Sequence, residues 1–97
     1  MNLQRVAEME GILNECAAAT AELDAQLERM ERLKEPMTRL FSYYGSEAWY
    51  EDREGPLPEG VKAGVLSEDL VYDAVTDIRD AAFRMLELAT DILKNRI

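Results

Sequence analysis

The C-terminal stretch SEDLVYDAVTDIRDAAFRMLELATDILK, residues 67–94, repeats its apolar side chains with a helical period. Val71, Val75, Ile78, Ala82, Met85, Ala89 and Ile92 recur at alternating gaps of four and three, which keeps them on one face of an α-helix. The start is marked chemically: the Ser67 hydroxyl can cap the first turn, and Glu68 and Asp69 follow where the helix dipole is positive. Lys94 and Arg96 stand at the end, where cations are favoured. The pattern predicts a helix over about 67–95. Alanines at 74, 81, 82 and 89 permit close approach of a neighbouring helix, while Leu86, Leu88 and Leu93 flank the frame on both sides. This helix therefore carries more apolar surface than one neighbour can cover.

The N-terminal half holds a second periodic stripe. A heptad frame runs from Asn2 to Tyr44 with Val6, Leu13, Thr20, Leu27, Lys34 and Phe41 at a, and Met9, Cys16, Leu23, Met30 and Met37 among the d positions. Ile12, Ala19, Leu33 and Leu40 at g widen the stripe to the broader face used in bundles. Pro36 interrupts the frame, because its ring lacks an N–H, clashes with the carbonyl of Arg32 and pushes Glu35 from helical angles. The reading is a helix over about 3–35, a kink or break, and a shorter helix over about 37–44. Gly45 is a natural left-handed cap, and Ser46 can cap the next turn at Trp49 or its neighbour, giving a short helix over about 46–54. Gly55-Pro56-Leu57-Pro58-Glu59-Gly60 cannot continue it, so 55–66 is a loop. Val61 to Leu66 is too short and too interrupted by glycine to be a strand.

The expected fold is all-α: a single domain over 1–97, an elongated antiparallel hairpin of two long helices with a Pro-kinked segment and a short middle helix, completed by homodimerisation. Its core is thin, since a chain this short buries only about two thirds of the surface its unfolded form exposes.

Charge narrows the partners. The net charge of −9 is spread as −4 over residues 1–35, −2 over 36–66 and −3 over 67–97, so no segment carries the basic footprint that nucleic acid or an anionic membrane requires. Basic or neutral proteins fit better. The single cysteine, Cys16, cannot form an internal disulfide, and the first residues lack the pattern of a secretory signal, so the expected compartment is the cytoplasm. Histidine is absent, which removes the commonest general base and the commonest transition-metal ligand.

Three patterns invite a chemical reading. Asp73, Asp77 and Asp80, with Asp69, Glu87 and Asp91, form an acidic stripe whose spacing could hold a hard cation such as Mg²⁺. They fall opposite the apolar frame, where a soluble helix keeps its solvated charges, and no cofactor is expected. Cys16 occupies a core d position with no histidine to activate it, and reads as a small hydrophobe. The aromatic residues are the most distinctive feature: Phe41, Tyr43, Tyr44, Trp49 and Tyr50 lie within ten positions, and Tyr72 follows the loop. They either seal the end of the helices as a small core or present a protein-binding hot spot. Phe83 sits among charges near the outer side of the last helix, as a dimer contact or a partner site.

The segment Tyr43-Tyr44-Gly45-Ser46-Glu47-Ala48-Trp49-Tyr50-Glu51-Asp52, then Leu57-Pro58, then Gly64-Val65-Leu66-Ser67-Glu68-Asp69-Leu70-Val71-Tyr72, resembles a family of short bacterial proteins called domain of unknown function 4298. The resemblance spans nearly the whole chain and implies a stand-alone helical protein. It carries over no activity, cofactor or catalytic residue. Tyr44, Gly45, Ser46, Trp49, Tyr50, Asp52 and Ser67 are the matched motif positions.

These residues favour a non-enzymatic homodimer, an adaptor or regulator that binds a protein through Tyr43, Tyr44, Trp49, Tyr50, Tyr72 and Phe83. One alternative is a Mg²⁺-dependent all-α nucleotide hydrolase using helix carboxylates; its one-turn acid pairs, Glu28 with Glu31 and Asp77 with Asp80, have suitable spacing but the wrong order and no basic cluster for a triphosphate. The other is an acidic mimic of nucleic acid, suggested by charge alone.

Overall fold

A computed structural model describes residues 1–95. The chain is all-α: helix α1 spans Leu3–Tyr43, α2 spans Glu47–Glu54, a single 3₁₀ turn covers Gly64–Leu66, and α3 spans Glu68–Lys94. No strand occurs among the described residues. Arg96, read above as part of the cationic end of α3, lies outside them.

The largest departure from the sequence reading is at Pro36, which lies inside α1. There is one helix where two, over 3–35 and 37–44, were expected. The magnitudes account for it. An interior proline costs a helix about 3 kcal/mol, whereas ending the helix and nucleating another carries a penalty near a factor of a thousand, or about 4 kcal/mol. Residues on both sides of Pro36, among them Leu33, Lys34 and Met37, are good helix formers, so propagation through the defect wins.

Elsewhere the caps fall close to expectation. Gly45 ends α1 with φ +78°, a left-handed conformation that side chains with a Cβ resist. Ser46, extended at φ −76° and ψ 169°, caps α2, and Ser67 caps α3 with its oxygen accepting from the Leu70 N–H. Between them, Val61 N–H donates to the Pro58 carbonyl at 3.3 Å and Gly60 has φ +84°. That is the third position of a tight turn, where a positive φ calls for glycine. The expected loop over 55–66 is thus shorter: its last three residues form the 3₁₀ turn, whose carbonyl at Gly64 accepts from Ser67 N–H at 3.0 Å.

The chain divides into two units, Met1–Arg39 and Leu40–Ile97. The first contains one element, the body of α1. The second contains the end of α1, α2, the 3₁₀ turn and α3, and it holds the apolar side chains that are buried among the described residues, Trp49 and Val71. Leu66, Ala74, Val75 and Ile78 are half-buried, so the first three turns of α3 use the frame read from the sequence. Met85 and Ile92, later in the same frame, are exposed.

Candidate functional site

The aromatic residues converge on Trp49. Gly45 and Ser46 make this possible: the left-handed glycine terminates α1, and Ser46 fixes the start of α2. The Ser46 hydroxyl donates to the Tyr43 carbonyl at 2.6 Å and accepts from the Trp49 N–H at 3.2 Å, tying the last residue of α1 to the first turn of α2. Trp49 then points inward and is 1% exposed.

Its indole is satisfied at every side. Nε1–H donates to the Val65 carbonyl in the 3₁₀ turn at 2.9 Å. Tyr44 and Tyr50 meet it edge-on, with ring centroids 5.1 and 5.0 Å away and planes at 66° and 77°, the geometry ring quadrupoles prefer. The Arg53 guanidinium lies 4.7 Å from its ring centroid, one turn further along α2. The same guanidinium reaches Glu68 at 3.2 Å, and the Tyr44 hydroxyl donates to the Glu68 backbone carbonyl at 3.3 Å. Arg53 thus bridges α2 to the start of α3. The pair is exposed and contributes little as an ion pair, so the packing of its planar head on the indole is its larger role.

Tyr43 takes a different partner. Its hydroxyl donates to Asp52 Oδ2 at 2.5 Å. The phenol is held above its ordinary pKa first by this hydrogen bond, then by partial burial and by the nearby carboxylate charge. All of these favour the protonated phenol.

Of the motif positions, Tyr44 and Tyr50 meet the Trp49 indole directly and Ser46 caps its helix, while Asp52 holds the Tyr43 hydroxyl and Ser67 caps α3. Tyr72 and Phe83 are not part of the cluster: they stand on α3 with 64% and 65% of their surface exposed, and Tyr50 keeps 54% although one ring edge touches Trp49. The residues missed from sequence are Val65, whose backbone oxygen receives the indole, and Glu68, which anchors Tyr44 and Arg53. A carbonyl leaves no signal in sequence, and Glu68 had been accounted for as a first-turn acid.

Among the described residues, no group of three or more acidic, Cys or His side chains is disposed to hold a metal ion; Asp73, Asp77 and Asp80 are exposed on α3. Cys16 is a free, exposed thiol. Among the described residues, no helix is long and apolar enough to cross a membrane.

The packed indole, its tyrosine edges and the serine-capped helices around it define a small all-α protein whose aromatic motif is a structural hub. A family model described as Domain of unknown function (DUF4298) matches residues 6–88, and the chain belongs to that family. Neither the curated proteins nor the solved structures give a match.

Proposed function

We propose that the protein is a non-enzymatic, protein-binding adaptor or regulator, acting as a homodimer in the cytoplasm. The observation that carries this reading is the pair Tyr50 and Tyr72. Both are large amphipathic side chains on helices next to the packed Trp49 hub, and both are more than half exposed. Tyrosines held on a rigid base lose little entropy on binding and are enriched among residues that dominate interface energies. Phe83 adds an apolar group further along α3. Trp49 packs edge-on against Tyr50, and the net charge of −9 favours a neutral or basic protein over nucleic acid or an anionic membrane.

In the same reading, α1 and α3 form an antiparallel hairpin, and two hairpins complete a bundle. Support comes from the wide apolar faces of both helices: Leu86, Leu88, Ile92 and Leu93 on α3 are exposed in the isolated chain. The test is affinity capture from cells of the source organism with the wild-type chain and with Tyr50→Ala/Tyr72→Ala. The wild-type chain retains a specific protein, and the variant loses it while its helical circular dichroism is unchanged. Identical capture by both chains would remove these tyrosines from the function.

A further inference from the structure

We propose that α1 is the self-association surface of this protein, and that two copies pair antiparallel along its length. This rests on the homodimeric reading above and adds the face and the orientation.

The unit Met1–Arg39 contains no element besides α1, yet it carries a heptad stripe with Val6, Met9, Ile12, Leu13, Leu23 and Leu27 each at least 40% exposed. No neighbour from the same chain can cover it all. Helix α3 has 27 residues and α1 has 41, so even complete alongside packing would leave 14 residues, or about 21 Å, of α1 bare. Those 14 residues alone make too small a contact between copies: a strip about 21 Å long and about 10 Å wide buries about 400 Å² over two copies. A stable interface needs roughly 1,200 Å² or more. The whole of α1, about 61 Å, reaches that figure, so pairing along its full length gives a stable interface from this helix alone.

Charge sets the direction. Residues 3–22 of α1 hold four glutamates against the single cation Arg5, a net −3, whereas residues 24–43 hold four acids balanced by Arg29, Arg32, Lys34 and Arg39. Parallel pairing would set the acidic halves side by side. Antiparallel pairing sets each acidic half against the half that contains the cations. The register that aligns a with d over the full helix places Leu13 opposite Met30 of the second copy, and Ile12 opposite its Leu33. It also gives Lys34, the one charged a position, a neighbour of opposite sign in Glu10 of the second copy.

Spin labels on the outward f positions of the full-length chain distinguish the orientations. In a Cys16→Ser background, labels on Gln4→Cys and, separately, on Ala18→Cys are measured by pulsed dipolar spectroscopy, alongside sedimentation equilibrium. Antiparallel pairing offsets the two Gln4 positions by about 52 Å along the axis and the two Ala18 positions by about 10 Å, at 1.5 Å per residue. The expected result is a dimer with a much longer separation at position 4. A dimer with equal separations at both positions would overturn the antiparallel pairing and leave the homodimeric reading standing. A monomer at all concentrations would overturn both. The Met9→Lys/Leu13→Lys chain supplies a second readout: dimer dissociation rises about 100-fold or more, because four charges would be buried without partners. The emission of Trp49, which lies in the other unit, stays unchanged. A dimer of undiminished affinity in that chain would also overturn the proposal.

Discussion

Trp49 combines three interactions in one side chain, and substitutions can separate them. Trp49→Ala removes the packing, the Nε1 hydrogen bond and the support for Tyr44, Tyr50 and Arg53 together; it should destabilise the protein by about 3–5 kcal/mol. Trp49→Phe retains a ring but leaves the Val65 carbonyl without its donor, adding about 1 kcal/mol to a smaller packing loss. Urea unfolding followed by circular dichroism at 222 nm orders the two variants. Tyr43 adds a pH dependence. Its folded pKa is raised above that of the unfolded phenol, so its contribution is complete below about pH 10 and fades as pH climbs through the folded value. Urea midpoints between pH 8 and 11.5 should fall more steeply for wild type than for Tyr43→Phe, which cannot ionise.

Helix ends are where single hydroxyls matter most here. Ser46 both accepts from Trp49 N–H and donates to the Tyr43 carbonyl, whereas Ser67 makes one long capping bond, 3.4 Å, to Leu70 N–H. Ser46→Ala should therefore cost more than Ser67→Ala, within the range of about 0.5–2 kcal/mol typical of lost caps, as read from thermal or urea unfolding. Both caps were legible in the sequence because capping is local: a hydroxyl at the right offset from a periodic run suffices. So were the two shorter boundaries at Gly45 and Gly55. The continuity of α1 was not, because the outcome at Pro36 depends on weighing one lost bond against the cost of nucleating a new helix, and pattern alone does not rank those terms. The 3₁₀ turn escaped notice for another reason. Gly64–Leu66 has no periodicity of its own, and the turn is held by the indole of a residue sixteen positions earlier. The aromatic cluster could be seen as a cluster, but which tyrosine faces inward was fixed by that non-local contact.

Among the described residues two apolar side chains are buried, both in one unit, while the long helices display ordered apolar stripes. In the homodimeric reading proposed above, stability is tied to association, and mass action makes that measurable. If the folded form is the dimer, raising protein concentration 100-fold adds about 2.7 kcal/mol and should lift the melting midpoint by about 5–10 °C for two chains of this length. A midpoint independent of concentration would place the whole stability in the single chain.

The turn at Pro58–Val61 has a practical corollary. Tyr44, Trp49 and Arg53 on one side of it reach Val65 and Glu68 on the other, so this bracket is closed by side chains whatever its length. Doubling a flexible connection costs only about 0.6 kcal/mol. A guest peptide, such as an epitope or a fluorogenic tag, can accordingly be spliced in after Glu59, giving a reporter that leaves both helix faces and both chain ends untouched.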